Sequence, residues 1–192
     1  MKLHMFKIKA KDFISIPNIL SYFRIILIFV FLSVYRQEIE HKSLYLGLIL
    51  VCSGISDVLD GHIARKYNMV TELGKCLDPI ADKLTQFMLL FCLLSKYSIA
   101  KVTLGIFLVK EVIVIVIGYK VICLQGKNDG AKWYGKISTV IFYIVTIVLV
   151  LFSDINVTVA NVLLGFSGIA IVGAFVGYIK QYAAAIQKYR SK

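Results

Sequence analysis

Long apolar runs recur along the chain, separated by short polar stretches, and six of them reach about 20 residues, the length an α-helix needs to cross bilayer hydrocarbon. They cover approximately residues 17–35, 43–63, 77–96, 101–123, 134–152 and 157–179. Pro17 and Pro79 are the two prolines, and each lies near a predicted helix start, where a missing N–H costs little. No linker or low-complexity tract interrupts the pattern, which predicts an all-α, polytopic membrane protein with six transmembrane helices in one domain, residues 1–192. Residues 1–15 mix lysines with Leu3, Met5, Phe6, Ile8, Phe13 and Ile14, a pattern that suits a short amphipathic helix on the membrane surface. No small-residue cleavage site follows the first long apolar run, so the pattern does not read as a cleaved signal.

Composition supports the membrane reading. The 192 residues are 59% hydrophobic, with a mean hydropathy of +0.81. A net charge of +11 suits anionic lipid headgroups. Nucleic acid is the poorer partner, because the basic residues are scattered over loops between apolar spans. With the N-terminus inside, the inner loops and ends collect most of the lysines and arginines, while Arg36, Lys42, Lys96 and Lys101 fall outside. Basic residues favour cytosolic loops, which places both termini in the cytosol. Cys52, Cys76, Cys92 and Cys123 lack metal or redox spacing and read as small hydrophobes.

The second and third spans are the least purely apolar, because they carry Asp57, Asp60, Asp78 and Asp82 within 26 residues. A carboxylate near a bilayer core costs several kcal/mol unless something neutralises it, so four together point to bound cations. Asp57 and Asp60 are three apart and Asp78 and Asp82 four apart, so each pair projects from one helix face. Two facing pairs make an all-oxygen cage suited to Mg²⁺ or Mn²⁺. Two such ions clamp a phosphoryl or pyrophosphate group, so the residues point to phosphoryl-type transfer at a membrane. Two other readings stand beside this one. The acids could pair structurally with Arg65, Lys66, Lys75 and Lys83, or they could form the cation path of a non-enzymatic transporter.

The run Asp57-x2-Asp60-Gly61-x2-Ala64-Arg65-x8-Gly74-x3-Asp78-x3-Asp82 resembles the signature of the CDP-alcohol phosphatidyltransferases at every fixed position. The stretches from Pro17 to Arg24 and from Leu77 to Lys83 are similar to the branch containing phosphatidylglycerophosphate synthases and cardiolipin synthases. The resemblance implies transfer of a phosphatidyl group from CDP-diacylglycerol to an alcohol, with CMP released. It also implies that Asp57, Asp60, Asp78 and Asp82 hold two metals and that Asp82 acts as general base. Gly61, Gly74 and Ala64 mark places where backbone approaches nucleotide or a neighbouring helix. Arg65 contacts a phosphate or braces an aspartate. Asn18 and Arg24 bind nucleotide or lipid phosphate, or Arg24 pairs with one aspartate. His62 occupies a variable slot and is read as interfacial. A homodimer is implied as well.

The acceptor is expected to meet a second polar set, of which Lys110 and Lys136 are the candidates. Glycerol-3-phosphate users of this branch typically carry Arg-Glu in the fourth span, another Arg eight residues later and a Gly-Lys-x-Lys run in the fifth. Here those positions read Lys110-Glu111, Gly118 and Gly135-Lys136-Ile137-Ser138, with Lys120 a nearby substitute. Glycerol 3-phosphate is the expected acceptor, and phosphatidylglycerol, as in cardiolipin synthases, is the alternative.

Overall fold

Six α-helices follow one another in the computed structural model, which describes residues 13–67, 69–71, 73–125 and 133–190. They are α1 (Ile16–Arg36), α2 (Lys42–Lys66), α3 (Gly74–Leu93), α4 (Ser98–Gln125), α5 (Trp133–Leu151) and α6 (Val157–Arg190), and no strand occurs among the described residues. Each apolar run of the sequence has become one helix. Among the described residues, four are long and apolar enough to cross a membrane: α1, α2, α5 and the Val157–Ala184 part of α6. The predicted amphipathic helix falls largely outside the described residues, and Phe13 and Ile14 at its end form a short, exposed 3₁₀ turn.

Several boundaries differ from the sequence reading, and two of the differences have a physical consequence. α3 begins at Gly74, a few residues early, which leaves Pro79 inside the helix instead of at its start. Pro79 is the sixth residue of the helix, so its missing N–H removes the backbone bond to the Lys75 carbonyl. α6 runs on to Arg190, eleven residues past the predicted span. Its extension carries Lys180, Gln181, Gln187 and Lys188, so the helix continues beyond the apolar stretch in a polar register.

The chain divides into two compact units, Met1–Cys92 and Leu93–Lys192. In the first, α1 packs along α2. The buried positions of α1 are Pro17, Asn18, Ser21, Arg24, Ile28 and Phe31, which recur every three or four residues and form a single face. Ile26 and Phe29, off that face, are 58% and 65% exposed, whereas Arg24 is 2% exposed. That inversion, polar inside and apolar outside, is what a lipid solvent selects. Ser56 of α2 donates a hydrogen bond to the Leu20 carbonyl of α1 at 3.2 Å. At the opposite end Tyr35 donates to the Cys92 carbonyl at 2.6 Å.

In the second unit α6 packs against both α4 and α5. Phe107 and Phe142 stack at 5.7 Å. A Cβ on Gly177 would stand 2.8 Å from the Tyr134 ring, and one on Gly135 would strike the Tyr178 hydroxyl. Two tyrosines thus lie over two glycines, and the helices approach closely where side chains are absent. Tyr134 also donates to Gln181 at 2.9 Å.

Candidate functional site

α1 and α2 bring their polar faces together, and α3 adds a third, because the one arginine in the apolar run of α1 needs a buried counter-charge. Arg24 finds four. Its Nη1 donates to Oδ1 of Asp57 and, at 2.9 Å, to Oδ1 of Asp82. Its Nη2 donates to Oδ2 of Asp60 at 2.5 Å and lies 3.8 Å from Oδ1 of Asp78. The sequence allowed Arg24 one aspartate; the structure gives it the whole set.

The cluster is closed at one side and open at the other. Arg24 and Asp60 are buried, whereas the side chains of Asp57, Asp78 and Asp82 are 49%, 45% and 49% exposed. One guanidinium among four carboxylates leaves a formal charge of −3. The Nε of Arg24 is buried without a hydrogen-bond partner, a loss worth about 1–3 kcal/mol for such a group. Ser21, one turn before Arg24, donates to Oδ1 of Asp78 at 2.7 Å and also stands 3.2 Å from the Pro17 carbonyl.

Arg65 is exposed and donates from Nε to the Gly61 carbonyl of its own helix at 2.8 Å. Lys83 reaches Gln86 at 3.5 Å, and the side chain of Lys75 lies outside the described residues.

Asn18 and Gly74 form a second knot beside the cluster. Asn18 donates to Oγ1 of Thr71 at 3.0 Å, Thr71 donates back to Oδ1 of Asn18, and the Gly74 N–H donates to Thr71 at 2.9 Å. Thr71 therefore caps the start of α3 while tying it to α1. A Cβ on Gly74 would lie 2.6 Å from Oδ1 of Asn18, so the approach here is to a neighbouring helix. At Gly61 the nearest atom to a Cβ would be a terminal nitrogen of Arg65 at 3.5 Å, an ordinary contact, so nothing within the chain demands glycine there. Ala64 lies one turn beyond Asp60 and Gly61 and is half-buried. His62 is exposed and stands outside the cluster's bonds.

Sequence reasoning missed Thr71, Ser21 and Ser56. Asn18, Ser21 and Arg24 were legible as a polar stripe with a step of three, whereas Thr71 carries no capping-box signal, since Gly74 stands where a Glu or Gln would be.

The acceptor candidates lie in the second unit. Lys110 is mostly buried and donates to Glu111 at 2.5 Å. Lys136 is exposed near the start of α5. Lys132 and the side chain of Lys120 lie outside the described residues.

A divalent cation fits the donor set by chemistry, since four carboxylates with a net negative charge are what Mg²⁺ or Mn²⁺ prefers. Among the described residues no group of three or more His, Cys, Asp and Glu side chains is arranged to hold an ion as it stands. The carboxylates turn to the guanidinium between them.

Residues 14–179 match the family model described as CDP-alcohol phosphatidyltransferase. The chain is 37% identical over 100 residues to a protein of Rickettsia bellii named CDP-diacylglycerol--glycerol-3-phosphate 3-phosphatidyltransferase, an alignment covering 52% of this chain and 55% of that one. A Rickettsia felis protein of the same name is 38% identical over 101 residues, with the same coverage. One from Escherichia coli is 30% identical over 128 residues, 65% of this chain and 70% of that one. The matched stretch thus spans about half the length of the Rickettsia relatives.

Proposed function

The chain belongs to the CDP-alcohol phosphatidyltransferase family, and from that premise we propose that it transfers a phosphatidyl group from CDP-diacylglycerol to glycerol 3-phosphate, releasing CMP and forming phosphatidylglycerophosphate. The observation that carries this reading is the convergence of Asp57, Asp60, Asp78 and Asp82 on one point, Arg24. The names of the relatives supply the donor and the acceptor.

Asp57, Asp60, Asp78 and Asp82 would hold two divalent cations, which would supply positive charge for the pyrophosphate and for the departing CMP. Asp82 takes the proton of the acceptor hydroxyl, whose oxygen attacks the lipid-linked phosphorus as the bond to the CMP oxygen breaks. The half-exposed position of Asp82 suits a base that must meet an incoming alcohol. Arg65, exposed near the end of α2, binds a phosphate oxygen. Asn18 and Gly74 fix α3 against α1, and Gly61 and Ala64 leave space for the nucleotide. Lys110 and Lys136 contact the acceptor.

An apolar cleft of about 300 Å³ between α1 and α3 supports lateral entry of a lipid substrate. It is lined by Ile25, Phe29, Leu32, Leu84 and Phe87 among others, so it begins next to Arg24 and Asp82 and suits an acyl chain. All six helices cross the membrane, with residues 1–15 on its inner surface and both termini and the aspartate site on the cytosolic side; the distribution of basic residues supports this orientation. Residues 1–192 act as one domain, since the family match runs unbroken across both units. The working form is a homodimer.

One observation favours a second acceptor. Lys110 is bonded to Glu111, and Gly118 stands where a further cation is expected, so less positive charge is available for a phosphate. Phosphatidylglycerol, giving cardiolipin, is the acceptor that this favours. The test is CMP release by the purified chain with CDP-diacylglycerol and Mg²⁺ or Mn²⁺, offering each acceptor separately. Stimulation by glycerol 3-phosphate supports the main reading. Stimulation by phosphatidylglycerol alone moves the assignment to cardiolipin synthesis, and silence with both overturns it.

A further inference from the structure

Resting on the reading of the four aspartates as metal ligands, we infer that Arg24 is the built-in counter-ion of the site, displaced from the carboxylates when divalent cations bind, so that it sets the site's affinity for metal. The guanidinium and a hard cation claim the same oxygens. Nη1 holds one oxygen each from Asp57 and Asp82, while Nη2 holds Asp60 and stands beside Asp78. Mg²⁺ requires oxygens at about 2.0–2.1 Å in a near-octahedral array. Carboxylates spread around a guanidinium cannot close to that distance while it remains.

Two observations mark the guanidinium as replaceable. Its Nε has no partner in the buried interior, so the five-donor fork is incompletely satisfied where it sits. Asp78 has a neutral donor of its own in Ser21, so that carboxylate keeps an anchor when Arg24 withdraws. Arg24 therefore competes with divalent cations for the same carboxylate oxygens.

Calorimetric Mn²⁺ binding to the full chain purified in detergent tests this, with the unfolding midpoint followed in chelator and in Mn²⁺. Arg24→Gln is expected to bind Mn²⁺ about tenfold more tightly than the parent, and Arg24→Lys to fall between. Arg24→Gln is also expected to unfold earlier in chelator and to gain more from Mn²⁺. A role that merely supports the fold would weaken binding, so equal or weaker affinity in Arg24→Gln overturns the inference while the metal reading stands. If Arg24→Gln does not fold, Arg24→Lys decides: tighter binding than the parent supports the inference, and equal or weaker binding overturns it. No Mn²⁺ binding by the parent or either variant at millimolar concentration overturns the metal reading and the inference together.

Discussion

The two units hold three helices each by opposite means. In the first, the buried contacts between helices include Arg24 with the aspartates, Ser56 with the Leu20 carbonyl and Asn18 with Thr71. In the second, tyrosines cover glycines and Phe107 stacks on Phe142, while buried Ser138, Thr146 and Ser167 satisfy themselves on carbonyls of their own helices. The second unit joins α5 to α6 through packing and a neutral hydrogen bond from Tyr134 to Gln181, so a cluster of five charged side chains is not what joining helices in this chain requires. Breaking one member of a buried ion cluster costs about 3–5 kcal/mol, yet replacing the whole cluster by apolar residues is often neutral. The acids of the first unit are best understood as retained for chemistry.

Removing divalent cations is the most severe way to break that contrast. Excess chelator is expected to abolish CMP release and to lower the unfolding midpoint, with both restored by Mg²⁺ or Mn²⁺; retained turnover would detach the acids from metal chemistry. Asp82→Asn is next. It removes the proposed base and one proposed ligand's charge, and turnover is expected to fall at least about a thousandfold, within the range of general-base catalysis. Binding of CDP-diacylglycerol should change far less, because three carboxylates remain. Near-normal turnover would mean that another group accepts the proton.

Two glycine substitutions sharpen the comparison. Gly74→Ala places a Cβ 2.6 Å from Oδ1 of Asn18, and Gly135→Ala drives one into the Tyr178 hydroxyl. Each is expected to cost about 1–3 kcal/mol of stability in thermal unfolding, as overpacking does. Their functional signatures should diverge. Gly74→Ala shifts α3, which carries Asp78 and Asp82, so Mn²⁺ affinity should fall with stability. Gly135→Ala should leave Mn²⁺ affinity unchanged, and adding Tyr178→Phe, which removes the hydroxyl that the new Cβ strikes, should recover part of its lost stability. Equal losses of metal affinity in both would erase the distinction between the units.

The helices were largely legible in the sequence, because an apolar run of membrane length has few other structures open to it. The ends were less so. α6 outran its apolar stretch since Lys180, Gln181 and Gln187 are good helix formers that need no lipid. The aspartates were legible from spacing and membrane cost. What spacing could not give was the partner of Arg24, because periodicity fixes the face of a helix and leaves open which helix it meets. The contacts of Arg24 with Asp57 and Asp82 span 33 and 58 positions. The knot of Asn18, Thr71 and Gly74 was hidden for the same reason: its threonine lies in the connection between α2 and α3, where apolar patterning carries no information.

The mildest test concerns the lysine at the start of α5. Lys136 is exposed and belongs to the unit that otherwise contributes packing, so its removal asks whether that unit also recognises substrate. An exposed ammonium contributes little to stability, and Lys136→Ala should leave the unfolding midpoint within about 0.5 kcal/mol of the parent. Against glycerol 3-phosphate the KM is expected to rise about three- to tenfold, as loss of one charge-assisted contact of about 1 kcal/mol implies. The KM for CDP-diacylglycerol should be unchanged, and the effect should shrink at high salt. An equal rise for both substrates would remove Lys136 from the acceptor site. No rise for either would leave the second unit a packing scaffold, with acceptor selection to be sought around the aspartates.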